Sequence, residues 1–335
     1  MRSSIIALIL VAEPLWAEPP PAAAPAAPAL QQADMQLVLR ALQSRYADPG
    51  AVNYEALNRA AIAGLLKDNG STIQILTVPA QPAAPPPLKS EAITPHITCI
   101  RPGTVNAAEA TAARAILAKI PAGASSGVIL DLRTAAVDTD PALAAEWAAL
   151  FLPKGSAVTR TMKSAADPAW NGDLMVLVDE GTSNASEVLA AVLQHQQRAV
   201  LIGSRTRGRT ATVIDLPLRK VDAGTLTLRY TAERVSFAEQ VPDPFGKGLT
   251  PDIPAAMESA VRAAVFAAQE KEGMSRGVFQ KAPPRANEAA LVAKTNPEIP
   301  ARIARTVGTA GPAELIDRPL QLAVDTLTAR SLLKP

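Results

Sequence analysis

The sequence predicts an α/β protein with a mostly parallel sheet, helices on both of its faces, an N-terminal helical segment and C-terminal helices. Three observations carry this. Short unbroken apolar runs at Gly127–Leu132, Leu174–Val178 and Ala199–Gly203 have the length of strands buried on both faces. Helical patterns at Ala107–Ile120, Pro141–Phe151 and Asn184–Gln196 separate them, the alternation expected of βαβ units. Hydrophobic residues make up 48% of the 335-residue chain and aromatic residues only 3%, so a large core must be built from Ala, Val, Leu and Ile.

The remaining elements follow in chain order. From Gln31 to Lys67 the pattern is helical, broken at Tyr46-Ala47-Asp48-Pro49-Gly50, with a second helix over about Tyr54–Leu66. Asn69-Gly70 is a helix stop. Thr72–Val78 alternates like a strand, and a Pro-rich stretch over Pro79–Pro87 interrupts the order. Ile97–Ile100 reads as a strand, and the central block opens near Ile93. Strands around Thr212–Leu216 and Leu226–Tyr230 suggest a hairpin. Ala255–Lys271 and Pro319–Leu333 read as helices, with a polar stretch over Gly273–Pro300 between them. No internal repeat is visible.

Charge and composition exclude several function classes. With 33 basic and 31 acidic residues scattered along the chain, there is no electrostatic case for a nucleic-acid partner. Two His and one Cys are too few for a Cys/His metal site, and no cofactor is expected. Cys99 lies in an apolar stretch and reads as buried and inert.

Residues 1–17 read as a secretory signal. Arg2 is the positive start, Ile5–Val11 is an apolar run too short to span a bilayer, and Ala17 is a small residue at the cleavage point. The Pro/Ala-rich run over 18–30 reads as a linker. The chain is therefore expected to be exported to the periplasm or cell envelope, with no integral membrane segment in the mature part.

Several segments, in order, resemble the C-terminal processing peptidases, also called tail-specific proteases. They are Gly127–Arg133, Ala149–Gly155, Val176–Thr182 with Ala185-Ser186-Glu187, Arg198–Gly203 with Thr206 and Gly208, and Gly248–Ile253. Tyr46–Asp48 through Ala61–Leu66 is similar to that family's N-terminal helical segment, and Asp317–Leu327 to its last helix. The resemblance implies a ClpP/crotonase-like peptidase core. It divides the chain into signal (1–17), linker (18–30), helical segment (31–70), Pro-rich connector (71–92), core (93–256) and C-terminal helical extension (257–335). Family members usually carry a PDZ domain between the helical segment and the core. The connector is too short to hold one.

The family's mechanism implies a Ser nucleophile at a helix N-terminus, a neutral Lys as base, a Gln that orients the Lys, and backbone N–H groups that bind the oxyanion. The matching positions here differ. Two residues before the Ser186-Glu187 pair stands Asn184, whose amide is a very poor nucleophile. After the turn Gly203-x-x-Thr206-x-Gly208 stands Arg209, whose guanidinium keeps its proton and cannot act as a base. Four residues on, Val213 has no hydrogen-bonding side chain. The oxyanion turn, Thr134–Thr139, lacks the expected paired glycines. Ser183 and Ser186 are neighbouring hydroxyls, and His195 is nine residues from Ser186, about 13 Å along a helix.

Two readings of Asn184 and Arg209 stay open. In one, Asn184 caps its helix and Arg209 fills vacated space. In the other, they form a polar site for a carboxylate such as a peptide C-terminus. For the chain as a whole three readings stand: a pseudopeptidase that binds a peptide or protein partner in the envelope, a serine-type peptidase with a rearranged site, and a structural envelope protein that inherited the fold.

Overall fold

The computed structural model describes residues 36–38, 40–42, 54–70, 72–79, 84–121, 126–135, 139–238, 241–279 and 315–333. The signal at 1–17 and the linker at 18–30 lie outside them. So do Ala136–Asp138 of the expected oxyanion turn and most of the polar stretch beyond Phe279. Two compact units divide between Asp68 and Asn69. The first contributes α1 (Tyr54–Asn69). The second contains everything that follows.

A six-stranded sheet forms the centre of the second unit. It comprises β2 (Lys89–Thr94), β3 (Ile97–Arg101), β4 (Gly127–Asp131), β5 (Asp173–Val178), β6 (Val200–Gly203) and β9 (Ile253–Pro254), in that spatial order. Only β2 and β3 pair antiparallel. The other four pairings are parallel. The sheet thus begins at Lys89, inside the stretch expected to be a connector.

Alternate residues of the strands feed two hydrophobic layers, as the two-residue period of a strand requires. Ile100, Leu130, Val176 and Leu201 face one side. There they pack against α2 (Ala107–Leu117), α3 (Ala144–Ala148) and α4 (Asn184–His195). Cys99, Ile129, Met175, Leu177 and Ile202 face the other side. That side is covered by Met274, Val278 and α6 (Arg318–Leu333), whose Leu320, Ala323, Val324 and Leu327 recur at helical spacing. Each buried Leu of this set contributes roughly 1.5–3 kcal/mol. The C-terminal helix is thus one layer of the core. Between β9 and α6 runs α5 (Ser259–Glu272). It starts four residues later than expected, and Pro254 occupies β9.

Three further strands make a separate antiparallel sheet in the order β1 (Ile73–Val78), β8 (Gly224–Arg234), β7 (Ala211–Val221). The hairpin is about twice as long as the sequence suggested, because Thr, Arg and Lys extend both strands beyond their apolar centres. Pairing places Ile73, Tyr230 and Ile214 on one face, with Ile75, Leu228 and Leu216 beside them. Gln74, Arg229 and Asp215 share the opposite face. The middle of the expected helix at Pro141–Phe151 is also shorter than predicted. A 3-10 turn (Pro141–Leu143) precedes α3, which runs only from Ala144 to Ala148.

Candidate functional site

The site forms where β5 and β6 end. After Val178 the chain turns through Asp179–Thr182 into α4. The Asp179 carboxylate accepts the N–H groups of Gly181 (2.8 Å) and Thr182 (3.2 Å), and the Asp179 N–H donates to the Thr182 hydroxyl (3.1 Å). That local knot fixes where α4 starts. Ser183 takes the N-cap position in extended conformation, without a capping bond from its side chain. Asn184 is the first helical residue, so the expected Asn184 cap is not formed. Its φ of 50° lies in the left-handed region, which Asn tolerates better than most residues.

Asn184 is buried, with 1% of its surface exposed, and its side-chain Oδ1 has no hydrogen-bond partner. Neither have the buried Oγ of Ser186 and the Oγ1 of Thr210. Buried polar atoms are normally paired with protein or ordered water. Three orphaned oxygens at this one helix start and the adjoining turn therefore mark a place where the fold alone does not satisfy its polar groups.

The turn after β6 carries the base position. Gly203 has a φ of 139°, and a Cβ there would lie 1.9 Å from the carbonyl oxygen of Val178. Only glycine allows β6 to leave the sheet so close to β5. Gly208 has a φ of 75°, and its Cβ would meet the Gly248 nitrogen at 2.7 Å. Glu187, on the first turn of α4, holds the loop. Its Oε1 accepts the Gly208 N–H at 2.7 Å and the Thr206 hydroxyl, and its Oε2 accepts the Arg209 N–H at 2.8 Å. The Thr206 oxygen in turn accepts the N–H of Leu249 at 2.7 Å. Burial pushes the Glu187 carboxyl above the usual range, and these donors pull in the opposite direction.

This scaffold brings the nucleophile and base positions together. The Asn184 N–H donates to the Arg209 carbonyl at 2.7 Å. The side chains are less clearly joined. Arg209 and Val213 line a small cavity against the antiparallel sheet with Thr72, Gln74, Arg229 and Thr231, and Asn184 is not among its lining residues. His195 lies exposed at the far end of α4, whereas Ser186 is buried near its start. Among the oxyanion-turn residues, Thr134, Ala135 and Thr139 are described; the first two follow Leu132, whose N–H donates to the Leu177 carbonyl at 3.0 Å.

A buried ionic cluster lies beside the site, and sequence reasoning did not find it. Arg133 makes ion pairs of 2.8 Å with both Asp131 and Asp317, and Arg101 pairs with Asp131 at 2.8 Å. Gln269 bridges Arg101 (2.7 Å) and Asp317 (2.9 Å). Both guanidinium groups stack on Phe266, 5.2 and 5.0 Å from its centroid. Burial opposes ionisation of Asp131, but Arg133 and Arg101 overcome it and hold the carboxyl well below the usual range. Near the same end of the sheet, Arg262 pairs with Asp179 (3.0 Å) and Glu180.

The order of these pieces from β3 to β9 can be set against known families. Residues 96–255 match peptidase family S41. The S41 segment covers both the Asn184 helix and the Arg209 turn. Over part of its length the chain is similar to C-terminal processing proteases. It is 34% identical over 151 residues to the carboxy-terminal-processing protease of Bartonella bacilliformis, covering 41% of this chain and 33% of that one. It is 35% identical over 100 residues to the carboxyl-terminal-processing protease of Synechocystis, covering 25% and 22%. The matched stretch thus spans a third or less of each of these curated relatives. Among solved structures, the photosystem II D1 C-terminal processing protease is similar with a TM-score of 0.43 at 22% identity, over 64% of this chain and 54% of that one.

Among the described residues, no helix is long and apolar enough to cross a membrane, and no group of three His, Cys, Asp or Glu could hold a metal ion. Cys99 is fully buried, and burial pushes its thiol far up, so it carries no nucleophilic chemistry.

Proposed function

We propose that this chain is an exported pseudopeptidase that binds a peptide or protein partner in the cell envelope. The observation that carries this reading is the contrast within one site. Residues that build the family's turn are present and engaged: Gly203, Thr206, Gly208 and Glu187. The positions assigned to chemistry hold Asn184, Arg209 and Val213. An amide cannot form an acyl-enzyme, and a guanidinium cannot accept the proton. A scaffold kept in order without its reacting groups is suited to binding.

The unpartnered Asn184 Oδ1 supports Asn184 as a ligand-contacting position, whereas the cavity beside Arg209, about 10 Å³, has room for about one water. Export is supported by the pattern of residues 1–17. Labelling by a serine-reactive fluorophosphonate probe tests the non-catalytic part. The expected result is no labelling of the wild-type chain. Strong labelling that survives Asn184→Ala but is lost in Ser186→Ala would replace this reading with a rearranged serine peptidase. Partner binding is tested by photocrosslinking from a probe residue placed at Arg209 in intact envelopes. Discrete adducts are expected from that position and not from the exposed His195. Equal, non-specific adducts from both would favour a structural role.

A further inference from the structure

The opposite end of the sheet holds a second cleft. It opens at the N-terminal ends of β5 and β6, while Asn184 and Arg209 follow their C-terminal ends. A six-residue strand separates the two regions by about 20 Å. The cleft has a volume of about 370 Å³, and its lining includes Pro153, Asp173, Gln197, Arg198, Val200 and Arg330.

Two guanidinium groups from different elements meet there. Arg198 is half-buried. Its Nε donates to the carbonyl of Phe151 at 2.9 Å and its Nη2 to the carbonyl of Trp170 at 2.7 Å. Among the described residues no carboxylate pairs with it, and its remaining nitrogen, Nη1, makes no protein hydrogen bond. A half-buried cation held only by neutral carbonyls is incompletely compensated. Burial accordingly lowers its pKa, and Asp173 opposes that only through space. Arg330, on α6, reaches the same cleft and pairs with Asp173 at 2.9 Å. One carboxylate therefore faces two guanidinium groups. The backbone at the rim is also unusual. Gln197 adopts a φ of 53°, and its N–H donates to the Gln194 carbonyl at 2.9 Å.

We propose that this cleft binds an organic carboxylate, its oxyanion received by Arg198 and Arg330 and its apolar body lying along the exposed Pro153 and the half-buried Val200. Guanidinium nitrogens suit a planar carboxylate, and the apolar wall adds affinity that a bare inorganic anion would not gain. The site is independent of Asn184 and Arg209, so its occupancy does not depend on whether the S41 chemistry is retained.

Calorimetric titration of the full chain with hexanoate, hexan-1-ol and inorganic phosphate tests this. Saturable binding of hexanoate is expected, with hexan-1-ol at least tenfold weaker and phosphate weaker than hexanoate. Arg198→Gln should weaken hexanoate at least tenfold. That variant also removes the tie between the Phe151 and Trp170 loops. Arg330→Gln, at an exposed side chain, therefore serves as the second variant, with an expected loss of several-fold. Amide chemical shifts read the location without any variant: Gly172 and Ala199 should move on hexanoate addition and Gly208 should not. Absence of saturable hexanoate binding, phosphate binding as tightly as hexanoate, or shifts confined to the Gly208 turn would each overturn the proposal. Unchanged affinity in both arginine variants would overturn it as well.

Discussion

The Glu187 carboxylate on α4 accepts the backbone N–H of Gly208 at 2.7 Å, across 21 residues of chain. That bond, with those from Thr206 and Arg209, makes the turn after β6 depend on the helix after β5. Two separate elements are thus tied together where the Asn184 N–H meets the Arg209 carbonyl.

Restoring peptidase chemistry should take more than one change. Asn184→Ser supplies a hydroxyl with no base, and Arg209→Lys a base with nothing to activate. Neither single variant should react with a fluorophosphonate probe. The double variant should label weakly at best, because Val213 cannot orient a lysine. A buried lysine must also be desolvated to lose its proton near neutral pH. Strong labelling of either single variant would refute this.

Asn184 should respond to substitution as a left-handed residue. Asn184→Gly should be tolerated, since glycine adopts a φ near 50° freely and removes an unpartnered buried oxygen. Asn184→Ala should be less stable than Asn184→Gly by about 1 kcal/mol. Urea unfolding of the two variants measures the difference, and equal midpoints would show that the backbone there carries no such constraint.

Gly208→Ala should destabilise the protein by more than about 1 kcal/mol. The added carbon would crowd Lys247 and Gly248, and the backbone there is left-handed. Gly155 has a φ of 85° but open space around it, so Gly155→Ala isolates the backbone contribution from the steric one. A thermal melt of both variants checks this, with the larger loss expected at Gly208.

Asp131→Asn should cost about 3–5 kcal/mol at neutral pH, because Arg133 and Arg101 lose a shared buried counter-charge. The pH dependence has a defined direction. Asp131 titrates lower in the folded than in the unfolded chain, so its contribution is complete above the unfolded value near about 4. It is lost as pH falls below that, toward the folded value. The stability gap between wild type and Asp131→Asn should therefore narrow in acid. Denaturant unfolding at pH 7 and pH 3 measures it, and a constant gap would contradict the assignment.

Export should remove residues up to about Ala17. Intact mass spectrometry of the protein from an envelope fraction reads the new N-terminus. Recovery of Met1 from a cytoplasmic pool would count against export.

How much was legible in the sequence depended on burial. Strands β4, β5 and β6 lie in the middle of the sheet, and their unbroken apolar runs announced them. Strand β2 is at its edge, where Lys89, Ser90 and Glu91 alternate with partly buried neighbours, and no apolar run marked it. The hairpin's length was missed for the same reason, since Arg219 and Lys220 lie in β7 at its exposed end. Asn184 and Arg209 could be found because both stand at fixed offsets from Glu187 and Gly208. The ionic cluster could not: Arg133 and Asp317 are 184 residues apart, and neither has a neighbour in sequence that betrays the other. Arg198 was read only as the entry to a strand, since nothing local shows that its guanidinium would be held by carbonyls alone.

The position of α6 sets the order in which the molecule can be completed. Ile129, Met175 and Leu177 wait for Leu320, Val324 and Leu327 of α6, and Arg133 waits for Asp317. A polypeptide emerging from its N-terminus therefore leaves much of one face of the sheet bare, with a half-neutralised cation at its edge, until α6 has been made. Premature termination anywhere before Asp317 would leave that face uncovered and sticky, a natural target for quality-control proteolysis. An intact α6 is thus a condition for the protein's survival.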